Sequence, residues 1–431
     1  MATRSSRAIG VGVVSTYPPR ACGIATFTRD LVAALTELLP PLHAQIAAIN
    51  GAGETYAYPP SVALQLDESD PASYVIAAER LNRMSNVDVV SLQHDFGKFG
   101  VWRDCFEVDY IAPMLATLQK PVVVTLHSVP QAPNTLMRRT LQEVGQQAQA
   151  IVVMATAARE LLRDSYQLDA DALARVVHIP HGVPAGATRG LPAETLKQVL
   201  GIAGRRVLST FGLLSAGKGI EYVIQAMPEL AARHPDLLYI VIGQTHPEVR
   251  KLEGEHYREG LTALARRLGV EEHVQFVDRF LPQDALLRYL RASDVYVTPY
   301  VARDQITSGT LAYALAAGKA IVSTPYRYAQ ELLADGRGLF AEFEDPGSLG
   351  RAISLLLDQK DLRQQLGARA ARYGRDMAWD RVATRYRDLF DAVRVRMLAL
   401  PMPRPSLTPD GASMSGSSTT GTQCYALRGQ F

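Results

Sequence analysis

Short apolar runs alternate with stretches of helical periodicity along nearly the whole chain, and this alternation predicts the architecture. Ile9–Ser15 is an apolar run, Thr16–Gly23 a turn punctuated by Pro and Gly, and Ile24–Leu38 a helical pattern. Further strands are expected at His43–Asn50, Val87–Gln93, Val122–Leu126 and Ile151–Met154, and Val176–Pro180 closes this half. Between them the spacing predicts helices at Tyr74–Met84, Tyr110–Leu118, Thr135–Ala148 and Ala157–Ser165. Strands that are apolar on both faces, separated by helices, imply a parallel sheet covered on both sides.

Pro184–Gly204 mixes Pro, Gly and Ala around a short helical stretch, Ala193–Val199, and reads as a linker. The alternation then restarts, with strands at Arg206–Phe211, Leu238–Ile242, Val274–Phe276, Asp294–Thr298 and Ala320–Val322. Helices are expected at Ile220–Ala232, Leu252–Leu268, Asp284–Arg291, Tyr328–Ala334, Ser348–Asp358 and Asp361–Tyr373, with an edge pair at Gly338–Glu342. Asp380–Met397 carries Val382, Tyr386, Leu389 and Val393 near helical spacing, as a helix crossing back to brace the first half would. From Leu398 onward Pro, Ser, Thr and Gly prevail with few apolar anchors, the composition of a disordered tail. The expected fold class is α/β: two doubly wound domains, 1–183 and 205–379, joined by linker 184–204, followed by crossover helix 380–397 and tail 398–431. Two such halves suggest a ligand held in the cleft between them.

Composition narrows the class. A chain of 431 residues exceeds one core, and a net charge of +2 argues for no nucleic-acid partner. Cys22, Cys105 and Cys424 have neither disulfide-framework nor metal-ligand spacing, which suits a reducing compartment. The basic Met1–Arg7 and apolar Ala8–Val14 superficially resemble a secretion signal, but the run is short and feeds directly into Ser15-Thr16-Tyr17-Pro18-Pro19, so a buried first strand is expected. No run approaches the ~20 apolar residues of a membrane span. The expectation is a cytoplasmic protein with no transmembrane segment, with peripheral membrane contact left open.

Candidate chemistry gathers at the ends of the expected strands. The stretch Asp304–Pro325 places a polar loop before a helix start at Thr307–Thr310, where free N–H groups of Ser308, Gly309 and Thr310 form an anion site. Gly212–Gly219 flanks Lys218 with glycines, so an ammonium can reach an anion held nearby; the spacing is not that of the nucleoside-triphosphate P-loop. Gly23 at the first strand-to-helix turn lets backbone approach an anion or sugar. His127, and His94 with Asp95, follow successive strands, and His181 sits at the domain junction; each imidazole can serve a hydroxyl or hold a structural bond. Gln305 can orient hydroxyls, Tyr313 offers a ring face and a phenol, and Glu331 is either a site carboxylate or a surface charge near a helix start.

With these residues in place, the chain resembles the retaining glycosyltransferases of family 4, which have the GT-B architecture, over roughly residues 8–397. The likeness rests on Pro18-Pro19-Arg20-Ala21-Cys22-Gly23-Ile24-Ala25, Ile179-Pro180-His181-Gly182-Val183, the Gly212–Gly219 loop, and the run from Ala292 to Tyr300 followed by Ala312 to Thr324. The resemblance implies a sugar transferred from a nucleoside-diphosphate donor to an acceptor hydroxyl with retention and without metal or other cofactor. It makes the first domain the acceptor side and the second the donor side. Catalytic candidates are then His127, Lys218 and Gln305. Donor-binding candidates are Gly23, Lys218, Ser308, Gly309, Thr310 and Tyr313, and the acceptor or sugar cleft would hold His94, Asp95 and His181.

Three positions depart from the family pattern. Leu213 stands where the family has an arginine, Gln305 where it has a sugar-contacting glutamate, and Tyr313 where it has a ribose-holding one. Arg279, Arg303 and Arg327 are candidates for the lost cation. The leading reading is a hexosyltransferase, with mannose and glucose as first candidates. The alternatives are a phosphorylase-like enzyme using a sugar 1-phosphate, and a catalytically silent sugar- or nucleotide-binding protein.

Overall fold

The computed structural model describes residues 8–103 and 106–399. The predicted tail lies outside the described residues except for its first two, Leu398 and Ala399, which complete the final helix; Cys105 and Cys424 also lie outside. Two parallel sheets follow one another along the chain. The first contains β1 (Gly10–Ser15), β2 (His43–Asn50), β3 (Val62–Asp67), β4 (Val89–His94) and, after the antiparallel pair β5 (Gly100–Arg103) and β6 (Phe106–Asp109), β7 (Val122–Leu126), β8 (Ala150–Val153) and β9 (Val176–His178). Its order is β3-β2-β1-β4-β7-β8-β9. The second contains β10 (Arg206–Phe211), β11 (Leu237–Ile242), β12 (Val274–Val277), β13 (Val295–Thr298), β14 (Ala320–Ser323) and β15 (Leu339–Phe340), in the order β12-β11-β10-β13-β14-β15.

In both sheets the first strand lies between two others from which the chain winds outward in opposite directions. That reversal leaves a crevice beyond the carboxyl ends of β1 and β4 in one lobe, and of β10 and β13 in the other. The loops that follow these four strands open onto that crevice.

Helices cover both faces of each sheet. On one side of the first sheet Val14, Leu92 and Val124 pack with Tyr74, Met114 and Leu141. On the other side Val11, Val13 and Val123 meet Leu31 and Leu35, together with Tyr386 and Phe390 of the last helix, Trp379–Ala399. Burying each such side chain contributes roughly 1.5–3 kcal/mol. The Tyr386 phenol is satisfied inside this core by Thr125 Oγ1 at 3.1 Å. The last helix thus completes the first lobe after the chain has built the second.

The chain crosses between lobes twice, and the crossings lie side by side. Val183 N–H donates to the Met377 carbonyl at 2.9 Å, and Trp379 N–H to the Val183 carbonyl at 3.0 Å. Gly182 lies flat against the Trp379 indole, where any Cβ would collide with ring carbons. Among the described residues no helix is long and apolar enough to cross a membrane.

Several features differ from the periodicity reading, among them the edge pair expected at Gly338–Glu342, which is the single two-residue strand β15 paired parallel to β14. The edge strand β3 alternates exposed and buried residues over only six positions, too short and mixed to stand out. The β5–β6 pair consists of four-residue strands of mixed polarity, too short for periodicity to mark. The stretch expected as one helix over Leu252–Leu268 is two helices, Pro247–Glu253 and His256–Arg267, because Gly254 between them turns left-handed at φ 65°.

Candidate functional site

A cavity of about 1540 Å³ lies between the lobes and is lined by both. The helix Gly309–Ala316 opens onto it from the second lobe. Ser308 caps this helix in an extended conformation, its Oγ accepting Leu311 N–H at 3.3 Å. The N–H groups of Gly309 and Thr310 have no acceptor within the helix, and the helix dipole adds partial positive charge there. Gly309 must be bare, since a Cβ would lie 2.9 Å from His181 Nε2.

Lys218 ends the short turn Ala216–Lys218 after β10 and lines the same cavity. The turn closes through Gly219 at φ 61°, where a Cβ would strike the Pro299 carbonyl. The Lys218 ammonium rests 4.1 Å from the centre of the Tyr300 ring. The Tyr300 hydroxyl in turn bonds Thr310 Oγ1 at 2.6 Å, and Thr310 Oγ1 meets Ser308 Oγ at 3.0 Å. One tyrosine therefore registers the lysine against the helix start, so that an anion between them meets a full charge and two amide dipoles.

The opposite wall is different in kind. His127 follows β7, its ring Nε2 is 2.9 Å from Gln93 Oε1, and its ring sits edge-on to Phe27 at 4.9 Å. Enclosure lowers its pKa to about 3, with the neighbouring His181 and His94 adding to the effect. His181 donates from Nδ1 to the Gly182 carbonyl at 2.7 Å, which leaves Nε2 as an acceptor facing Gly309. Burial outweighs that bond and lowers its pKa to about 4. Both rings are neutral at physiological pH, able to exchange hydrogen bonds with hydroxyls without adding charge.

Of the remaining sequence candidates, Gly23, Asp95, Gln305, Ser308, Thr310 and Tyr313 all line the cavity. Gly23 begins the helix Gly23–Glu37, and apart from its chain neighbours and its own helix backbone no described atom lies within 4 Å of where its Cβ would be. Burial raises the pKa of Asp95. Gln305 donates its amide to the Thr307 carbonyl at 2.8 Å, leaving its oxygen as acceptor.

His94 does not reach the cleft. As the last residue of β4 its ring turns under the β5–β6 pair, fully buried, with Nε2 2.9 Å from Asp109 Oδ2. Asp109 also accepts Ile111 N–H at 3.0 Å. This histidine clamps the β5–β6 pair to the sheet, while the next residue, Asp95, lines the cavity. Among the three arginines considered for the lost cation, Arg279 lines the cavity. Arg303 instead stacks 4.1 Å over Phe343, and Arg327 donates to Gln131 at 3.2 Å.

Several cleft residues were not visible in the sequence. Arg29 and Lys98 line the cavity from the first lobe. Gln283 lines it from the second and donates to the Tyr313 hydroxyl at 3.0 Å, while that hydroxyl donates to Asp30 of the first lobe at 3.1 Å. Glu331 belongs neither to the cavity nor to open surface. Its carboxylate crosses the lobes to accept the N–H groups of Thr156 at 2.8 and 2.9 Å and Ala157 at 3.3 Å, capping the first-lobe helix Ala157–Asp164. No local pattern marks such contacts, since the partners lie far apart in the chain. Among the described residues no cluster of His, Cys, Asp and Glu could hold a metal ion.

Comparison with known proteins agrees with this arrangement. Residues 193–373 match the family model described as Glycosyl transferases group 1. The chain is 26% identical to spore coat protein SA of Bacillus subtilis over 206 residues, 47% of the chain and 52% of that relative. It is 23% identical to alpha-D-kanosaminyltransferase of Streptomyces kanamyceticus over 296 residues, 64% of the chain and 72% of that relative. The chain therefore spans about half the length of the first of these relatives. The fold is similar to that of Anabaena HepE in complex with UDP, with a TM-score of 0.71 at 14% identity over 89% of the chain and 100% of that structure. The fold is GT-B.

Proposed function

We propose that the chain, whose residues 193–373 match the glycosyl transferases group 1 model, is a retaining hexosyltransferase. In this reading it moves a hexose from a nucleoside-diphosphate sugar to an acceptor hydroxyl. The observation that carries the reading is the shared cavity, where Lys218 and the Gly309 helix start, registered by Tyr300, face the neutral His127 across the cleft.

The proposed chemistry follows from charge. Departure of the nucleoside diphosphate builds negative charge on the phosphate oxygens. Pre-oriented N–H groups of Gly309 and Thr310 and the Lys218 ammonium stabilise that charge without reorganisation, the largest contribution expected in such a site. Gln305 and His127 hold hydroxyls of the transferred sugar, and neutral His127 does so without opposing the positive character that develops at the anomeric carbon. The acceptor enters from the first lobe beside Asp95, and the leaving phosphate takes its proton on the face from which it departs, giving retention. The phosphorylase-like and silent-binding alternatives gain no support from any contact in the cleft.

A donor panel of UDP-glucose, GDP-mannose and hexose 1-phosphates, read by thermal shift and by release of nucleotide, tests the proposal. Stabilisation by a nucleoside diphosphate and slow donor hydrolysis are expected, because a ligand bound only to the native state raises its melting temperature. Stabilisation by hexose 1-phosphates with no response to UDP, GDP or their sugars would overturn it.

A further inference from the structure

We infer that Gln283, held in place by Asp30 reaching across from the first lobe, receives the ribose hydroxyls of the nucleotide donor. The inference rests on the nucleotide-sugar reading above and names residues that the sequence did not mark. Asp30 lies on the helix Gly23–Glu37, and its two oxygens are fully occupied. Oδ1 accepts Arg29 Nε and Nη2 at 2.8 and 2.7 Å; Oδ2 accepts the Tyr313 hydroxyl at 3.1 Å and Gln283 Nε2 at 3.3 Å.

Hydrogen-bond direction then fixes the rest. A carboxylate only accepts, so the hydrogen of Tyr313 is committed to Asp30 and the phenol oxygen accepts Gln283 Nε2 at 3.0 Å. Reversing the Gln283 amide would set its oxygen against the carboxylate and lose both bonds. The Gln283 oxygen, with two lone pairs, is therefore left as the acceptor on a side chain that lines the cavity. Asp30 is a positioning residue; Gln283 is the one that would touch the ligand.

Location selects the hydroxyls. Gln283 opens the helix Gln283–Ala292 directly after Phe280, Leu281 and Pro282, which with Leu286 form an apolar wall suited to the flat face of a base. The diphosphate is held at Gly309, and Tyr313 lies one turn further into that helix, about 6 Å along its axis. The hydroxyls between base and diphosphate are those of the ribose, and they fall beside Gln283. Because Asp30 comes from the other lobe, this subsite is complete only when the lobes are together.

Calorimetric titration of the full chain with UDP and GDP and with their 2′-deoxy and 3′-deoxy forms tests the assignment. The parent should favour a ribonucleotide over at least one deoxy form by about tenfold, as sites built around a hydroxyl do. Gln283→Leu should lose about tenfold for the ribonucleotide and nothing for that deoxy form, so discrimination disappears. Asp30→Asn, which frees the amides to turn, should cut discrimination to roughly threefold while leaving inorganic pyrophosphate affinity unchanged, an outcome a purely structural loss would not give. Retained discrimination in a Gln283→Leu protein that melts like the parent would overturn the assignment with the donor reading intact. If neither UDP nor GDP bound the parent, the nucleotide reading itself would fall and take the assignment with it.

Discussion

The two lobes share one winding scheme and yet present different groups to the cleft. In each, the loops at the carboxyl ends of several neighbouring strands line the cavity. The second lobe presents charge and dipoles: Lys218 and the start of Gly309–Ala316, held together by Tyr300. After β7 the first presents an uncharged imidazole at His127, with the neutral His181 on the crossing segment beside it, while Arg29, Lys98 and Asp95 line the same wall. The difference teaches that the fold supplies only a place, while the side chains after the strands decide whether that place attracts an anion or accommodates sugar hydroxyls.

The most severe way to break this contrast is to remove the charge. Lys218→Ala should lower donor turnover by about 100-fold, the scale of losing one stabilising group at a developing anion. Unchanged turnover in the folded variant, measured by nucleotide release, would assign the anion to another group. A smaller effect is expected from Gly309→Ala, whose new methyl meets His181 Nε2 at the helix start. UDP or GDP affinity should fall by roughly tenfold, and calorimetry at constant ionic strength would read it.

Acidity sharpens the comparison from the other side. His127 and His181 stay neutral in the fold down to about pH 3 and pH 4, whereas unfolded imidazoles take up protons below about 6.5. The unfolded state therefore binds more protons, and stability falls as pH drops from about 6.5 towards 4, by at most about 1.4 kcal/mol per pH unit for each ring. Urea unfolding across that window should show the decline, and His127→Asn should make it shallower. A slope identical in the variant would show that His127 is not kept neutral. The least effect is expected from Glu331→Gln, which removes a charged cap from the first-lobe helix and should cost about 1 kcal/mol. Its thermal midpoint relative to the parent measures how much this cross-lobe cap holds the lobes together.

Much of this architecture was legible because it is written locally. Apolar runs such as Val122–Leu126 and the strand-to-helix turn at Gly23 announce a parallel sheet whatever else the chain does. The Gly212–Gly219 loop and the helix start at Thr307–Thr310 could be read too, since glycine-bearing turns and helix starts are properties of a few adjacent residues. His94 and His127 looked alike in sequence, each after an apolar run, and only the structure separated a buried clamp from a cleft residue. The Asp30–Tyr313–Gln283 triangle left no trace at all, because its two closest-bonded members in different lobes are 283 residues apart.

By itself, the sequence determined the winding of both sheets, the glycine-bearing turns and the helix start that awaits an anion, for these depend on periodicity and on the φ and capping preferences of neighbouring residues. Tertiary structure alone decided which residues meet across the cleft, which histidines lose their charge, and which hydrogen-bond direction leaves Gln283 with a free oxygen. Burial and pairing across lobes depend on distance in space, and distance in space between remote residues is fixed only when the whole chain has packed.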